Sequence, residues 1–263
     1  MPAQVLPQRF YFLPGWGLGS SPLQNSISNL NKALSSINSH CIAELVDLPG
    51  YDAAATVNSF EEAVEQILDK ITKPCALGGW SLGGMLSLAA AVRAPGIVQR
   101  LVLLSTTPCF VARSRTASQP RWPCGQSAEA LNEFARDVFD DFDAMLPRFI
   151  NNFNRGDIKS RLITRQLIAG LSQQKRPADK ILQDGLRWLK EVDLRPLLGQ
   201  VKSPTLIMHG DSDPLTPPAA AKFVYDTVRY ARLEWFAKTA HCPFLAHPQR
   251  FTNLLSKFLT TAY

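Results

Sequence analysis

Gly79-Trp80-Ser81-Leu82-Gly83 is the segment whose residue types and spacing best suit covalent catalysis. A serine flanked two positions away on each side by glycine fits a sharp turn from strand to helix. Such a turn holds the serine in a strained conformation, and side chains at positions 79 and 83 would collide with neighbouring backbone. Taken alone the pattern is common, and an ordinary glycine-rich turn explains it equally well. Its context sets it apart: a short apolar run, Cys75 to Leu77, precedes it and a helix rich in Ala and Leu, Gly83 to Arg93, follows. The start of that helix points its partial positive charge at the serine.

A serine hydroxyl attacks only when a base takes its proton, so a histidine held by a carboxylate has to follow in the chain. There are four histidines. His40 precedes Ser81 and stands before a strand, and His209 ends an apolar strand, where it reads as a packing residue. His241 lies in Lys238-Thr239-Ala240-His241-Cys242-Pro243-Phe244, a loop between the last strand and the final helix, and is the preferred base. His247, next to Pro248, reads as a helix-entry residue, although chain order alone leaves it open. Gly210-Asp211-Ser212-Asp213-Pro214 offers two carboxylates after the strand Thr205 to His209. Asp213 is preferred for orienting the histidine, and Asp211 suits turn hydrogen bonds; whether it shares the work stays open.

Negative charge developing on the attacked carbonyl needs two backbone N–H donors. Leu82, just after the nucleophile, supplies one. Trp16, in the loop Leu13-Pro14-Gly15-Trp16-Gly17 after an early strand, supplies the other and can lay its ring along an acyl pocket.

These residues need a scaffold that brings loops from distant parts of the chain together. Apolar runs at Arg9 to Leu13, Cys41 to Leu48, Cys75 to Leu77, Leu101 to Ser105, Thr205 to His209 and Leu233 to Phe236 are short and separated by helical spacing, as buried parallel strands are. Ser59 with Glu62 forms a capping box at the head of a helix over Ser59 to Ile71. The alternation predicts an α/β chain with a mostly parallel, doubly wound sheet. It lapses between about Val111 and Arg195, where helical segments follow one another over Ser127 to Phe153, Asp157 to Ser172 and Ala178 to Glu191. The expected organisation is a core of residues 1–110 and 196–263 with a helical cap at 111–195 inserted into it. With the order Ser81, Asp213, His241, this is the pattern of the α/β-hydrolase fold.

A chain of 263 residues can bury one large core, and 46% hydrophobic with 19% charged residues is ordinary globular composition. Five scattered cysteines form neither a disulfide framework nor a zinc pattern, so they read as reduced structural thiols. Met1 to Arg9 lacks the character of a secretory leader and no apolar run suits a bilayer span, so a soluble cytoplasmic protein is expected. The net charge of +6 is concentrated: Ala144 to Ala178 holds seven basic residues (Arg148, Arg155, Lys159, Arg161, Arg165, Lys175, Arg176) and one acid, Asp157. That stretch suits an anionic partner. It has no base-stacking aromatics or nucleic-acid motif beside it, so neither nucleic acid nor membrane is expected as a partner.

Gly15-Trp16-Gly17-Leu18, Val46-Asp47-Leu48-Pro49-Gly50, Gly79 to Gly84, Thr107-Pro108-Cys109-Phe110 with Trp122 downstream, Val192-Asp193-Leu194-Arg195 and Phe236 to His241 together resemble the BioH family, the pimeloyl-[acyl-carrier protein] methyl ester esterases of biotin synthesis. The matching stretches span the core from end to end and match weakly in the cap. The resemblance implies hydrolysis of the methyl ester of a pimeloyl group carried on acyl carrier protein, by a Ser81, Asp213, His241 triad and a Trp16, Leu82 oxyanion hole, with no metal or organic cofactor. It implies that Arg148, Arg161 and Arg165 hold the phosphate of the carrier's arm and the acidic carrier itself; Arg161 and Arg165 are four apart and share a helix face. Phe149 and Phe153, likewise four apart, line the acyl channel beside Trp16, Leu82 and His241 on this reading, although helix packing accounts for either alone. Pro14 stands where relatives commonly have His, and Asp52 where glycine is usual. A monomer is expected. Two other readings stay open: a short-chain carboxylesterase with no need of a carrier, for which the cap arginines would be dispensable, and a non-catalytic binding protein of the same fold.

Overall fold

A computed structural model describes residues 6–52, 54–117, 119–171 and 175–261. Strands β1 (Arg9–Leu13), β2 (Ile42–Leu45), β3 (Cys75–Trp80), β4 (Val98–Leu104), β5 (Thr205–Gly210) and β6 (Ala231–Phe236) form a six-stranded sheet in the order β2-β1-β3-β4-β5-β6. Every pairing is parallel, so the expected doubly wound architecture holds. The central strands are buried along their length, which is why they read as apolar runs rather than alternating ones.

The connecting helices are α1 (Gln24–Ser36), α2 (Phe60–Lys70), α3 (Leu82–Arg93), α8 (Pro218–Thr227), α9 (Pro243–Ala246) and α10 (Pro248–Thr260). The chain steps outward from β1 to β2, then returns past β1 to β3 and continues in the opposite direction to β6. With right-handed crossovers, α1 lies on one face of the sheet and α2, α3 and α8 on the other. Accordingly α1 packs on α10, and α2 on α3. The reversal makes a crevice at the carboxyl ends of β1 and β3, the place where such sheets hold ligands. The loop bearing Trp16 and the turn bearing Ser81 are the two segments that emerge there.

Between β4 and β5 the chain makes α4 (Ala128–Asp140), α5 (Phe142–Phe153), α6 (Ser160–Leu171) and α7 (Asp179–Glu191). The segment expected as one helix, Ser127 to Phe153, is two. Asp141 leaves helical geometry and its carboxylate caps α5 by accepting from Ala144 N–H at 3.0 Å. The chain enters and leaves this insertion side by side: Cys109 and Asp193 form an antiparallel bridge, and Leu194 N–H donates to Pro108 O at 2.8 Å. The Trp122 indole donates to Cys109 O at 2.8 Å, and Arg195 forks onto Asp193 while stacking over the Trp122 ring at 5.3 Å.

Strand boundaries differ from the expected ones most at β2, β3 and β4, and by one or two residues at β5 and β6. Strand β3 runs on through Gly78, Gly79 and Trp80 into the nucleophile motif. Strand β4 starts at Val98 because Arg100 is buried within it and donates to the Phe258 and Thr261 carbonyls at the end of α10, a cation inside a core strand. Strand β2 covers only Ile42–Leu45 of the longer apolar run.

Candidate active site

Ser81 sits at the junction of β3 and α3 with φ 56° and ψ −119°, a left-handed conformation that costs a residue with a side chain about 1–3 kcal/mol. Its neighbours enforce the geometry. Ser81 N–H donates to Leu104 O at 3.0 Å, and Thr106 Oγ1 donates to Ser81 O at 2.6 Å. A Cβ on Gly79 would lie 2.1 Å from the Gly83 carbonyl carbon, and one on Gly83 would lie 2.4 Å from Pro14 O. The two glycines let strand, helix and the Trp16 loop meet at a single crossing.

His241 is buried, and its Nδ1 lies 2.8 Å from Asp213 Oδ2. The ring is held between Trp80, at 5.5 Å, and Phe153, at 5.4 Å between centroids, while its carbonyl accepts from the Trp80 indole at 2.9 Å. Asp213 is also buried, and it accepts from Leu215 N–H, Thr216 N–H and Thr216 Oγ1 at 2.9, 3.0 and 2.8 Å. Burial acts to raise the Asp213 pKa, but the charge and hydrogen bond of His241, the charge of His209 and the Thr216 N–H outweigh it and hold the carboxyl below its usual range. The carboxylate thus stays ionised behind the imidazole, the condition for orienting it and stabilising its protonated form.

The other histidines and acids lie elsewhere. His247 Nε2 is 3.0 Å from Thr239 Oγ1, at the break between α9 and α10, and His40 is exposed. His209 is buried behind Asp213, with Nε2 2.7 Å from Thr216 O and 3.6 Å from Asp213 Oδ2. Asp211 is exposed and accepts from Ser212 Oγ at 2.9 Å, a local turn bond, and from Thr239 N–H at 3.4 Å, on the loop that carries His241.

Ser81 and His241 line one cavity of about 340 Å³ at the crevice between core and insertion. Its walls are mostly apolar. Trp16, Phe149 and Phe153 are among them, and Trp16 meets Phe134 and Phe149 edge-on at 5.6 and 5.8 Å. The Trp16 indole is fixed by donating to Leu182 O on α7 at 3.0 Å. Among the described residues, neither the Trp16 nor the Leu82 backbone N–H donates to a protein acceptor. Leu82 is buried at the first position of α3, outside the cavity wall. Arg148, Arg161 and Arg165 are exposed on α5 and α6 and do not line the cavity. A different cation does: Arg155, after α5, whose Nη2 lies 3.3 Å from Asn152 Oδ1.

Sequence reasoning passed over Thr216, the partner of Asp213. Its signal was the Asp-Pro-Leu-Thr order, in which a carboxylate accepts from N–H groups two and three residues on, as in an Asx turn. The wall residues Phe110, Phe134, Leu186 and Leu189 had no such signal, because their role depends on how the insertion lies over the sheet.

Residues 10–254 match the model of the alpha/beta hydrolase family. The chain is 32% identical over 243 residues to a pimeloyl-[acyl-carrier protein] methyl ester esterase from Nitrosomonas europaea, covering 92% of this chain and 91% of that one. A protein of the same name from Aromatoleum aromaticum is 35% identical over 240 residues, covering 90% and 92%. Among solved structures, an esterase from Exiguobacterium antarcticum superposes with a TM-score of 0.79 at 22% identity, over 98% of this chain and 94% of that one. An enol-lactonase from Burkholderia xenovorans does so with 0.77 at 18% identity, over 98% and 93%. These two likenesses speak for the fold alone.

Proposed function

The chain belongs to the alpha/beta hydrolase family and, within it, to the pimeloyl-[acyl-carrier protein] methyl ester esterases, and from that premise we propose that it hydrolyses the methyl ester of a pimeloyl group carried on acyl carrier protein. It is a carboxylic ester hydrolase. The observation that carries the reading is the single apolar cavity wall shared by Ser81 and His241, with Asp213 bonded behind the imidazole.

In this mechanism His241 takes the Ser81 hydroxyl proton as the oxygen attacks the ester carbonyl. The Trp16 and Leu82 N–H groups hold the resulting oxyanion. Its collapse breaks the bond to the methoxy oxygen, which leaves as methanol with the proton from His241. Water, deprotonated by the same histidine, then attacks the acyl-enzyme, releasing the carboxylate and restoring Ser81. Asp213 keeps His241 in the tautomer with Nδ1 protonated throughout. Trp16, Phe149 and Phe153 enclose the acyl chain, and Leu82 packs beneath the oxyanion.

Residues 111–195 act as the cap over this chemistry. The carrier itself stays outside. Arg148, Arg161 and Arg165 face solvent on α5 and α6, where guanidinium forks suit an acidic protein and a phosphodiester. No helix among the described residues is long and apolar enough to cross a membrane, and all five cysteines are free, which suits the cytoplasm.

The test is hydrolysis of pimeloyl-carrier-protein methyl ester by the purified protein, set beside a free short-chain ester. Ser81→Ala is expected to lower turnover of both by about four orders of magnitude or more. Arg161→Ala with Arg165→Ala is expected to harm only the carrier-bound reaction. Cleavage of the free ester alone, indifferent to the arginines, would make the protein a general carboxylesterase; cleavage of neither would remove the catalytic reading.

A further inference from the structure

The turn joining α5 to α6 grips the loop that carries His241. Ile158 N–H donates to Lys238 O at 2.9 Å, Ala240 N–H to Asp157 Oδ2 at 3.0 Å, and His241 N–H to Phe153 O at 3.4 Å. Lys159 Nζ reaches the Ala246 carbonyl beyond it. Phe153 at the end of α5 and Asp157, Ile158 and Lys159 in the turn therefore hold four points between Lys238 and Ala246, and the loop they hold is under strain at Lys238, φ 53°.

Asp157 is the anchor of this contact. It is buried, and its two carboxylate oxygens face different parts of the molecule: Oδ1 accepts from Lys159 N–H at 2.7 Å, at the head of α6, and Oδ2 accepts from Ala240 N–H, the residue before His241. It is also the one acid among seven bases between positions 144 and 178. A carboxylate is costly to bury, and this one is spent on two backbone donors rather than on any of those bases. The geometry points to Asp157 as a positioning residue for His241. It fixes the backbone one residue before the imidazole, so that the ring keeps its place between Trp80 and Phe153 and its bond to Asp213. Because the same side chain starts α6, the helix bearing Arg161 and Arg165, the carrier-facing surface and the catalytic base are joined through one side chain.

The inference rests on His241 being the base, and the experiment separates the two. Turnover of a small free ester, p-nitrophenyl butyrate, is measured for the wild type, His241→Ala, Asp157→Ala, Asp157→Asn and Asp184→Ala, with the melting temperature of each. Asp184 is the matched control: a buried carboxylate on α7, bonded to Lys180 and Arg187 of the same helix at 2.7 Å. Asp157→Ala is expected to lower kcat about tenfold to a hundredfold with KM within about twofold, the signature of a misplaced catalytic group. Asp157→Asn keeps one acceptor of two and is expected to lose about threefold to tenfold in kcat. Asp184→Ala is expected to lose melting temperature but not kcat. Should Asp157→Ala fail to fold, the Asn variant carries the comparison. Wild-type kcat in a folded Asp157 variant, or an equal fall in Asp184→Ala, overturns the positioning role. Full activity in His241→Ala would instead overturn the reading on which it rests.

Discussion

Asp213 answers to two histidines, and only one of them faces the cavity. His241 meets Oδ2 at 2.8 Å from the cavity side, while His209 approaches the same oxygen at 3.6 Å from the core and is fixed by Thr216 O at 2.7 Å. Burial lowers the His209 pKa below 6.5 by more than the Asp213 charge raises it, so His209 stays neutral where an unfolded histidine would be taking up a proton. The sign follows from proton counting. As pH falls through about 6.5 the unfolded chain gains a proton that the folded one refuses, so the stability that neutral His209 contributes is complete above that pH and is lost as pH falls toward its folded pKa. Asp213, lowered from 3.8, gives up its contribution only at still lower pH. The melting temperature should therefore decline from about pH 7 to about pH 5, and His209→Gln, whose amide can still donate to Thr216 O, should flatten that decline. An unchanged slope in the variant, read by calorimetry, would take the titration away from His209.

Helix α7 illustrates how an element serves the site without contributing chemistry. Gly185 lets the Trp16 indole approach its backbone: a Cβ there would stand 2.5 Å from Trp16 Cδ1, against a ring already tied to Leu182 O one turn earlier. Gly185→Ala should push the indole toward Phe134 and Phe149 and so into the acyl space. The expected result is a KM for free esters raised several-fold and a loss of about 1–3 kcal/mol in denaturant unfolding, the usual cost of overpacking; a wild-type KM would mean the ring has room to yield. Nothing in the sequence marked that contact, because Gly185 and Trp16 are far apart in the chain and meet only once the insertion lies over the sheet. What could be read in advance was local. The strand-turn-helix around Ser81 and the Ser59 cap, accepting from Glu62 N–H at 3.0 Å, declare themselves within a few residues. The boundary between α4 and α5 was hidden because Asp141 interrupts a continuous apolar rhythm with a cap rather than with Gly or Pro. Pro147, inside α5, removes one backbone donor from the helix interior without ending the helix, so it marked no boundary.

At the scale of the whole molecule, the insertion turns a mostly apolar face to the cavity and a basic face to solvent. The inner face lines the cavity with Phe134, Phe149 and Leu186, whereas the outer face of α6 exposes Arg161 and Arg165 together with Leu162 and, just before the helix, Ile158, 52% and 65% exposed. On the proposed reading a free ester needs only the inner face, whereas an acidic carrier needs both. Attraction between exposed charges weakens as the screening length falls from about 10 Å at 0.1 M salt to about 3 Å at 1 M, while contacts inside an apolar cavity do not. Raising salt across that range should therefore raise KM for the carrier-bound ester by about tenfold and leave kcat and the free-ester reaction nearly unchanged. Arg161→Ala with Arg165→Ala should show the raised KM already at low salt and respond weakly to more. An equal salt response for both esters would assign the effect to the catalytic centre and would leave the basic face of α6 without a part in substrate recognition.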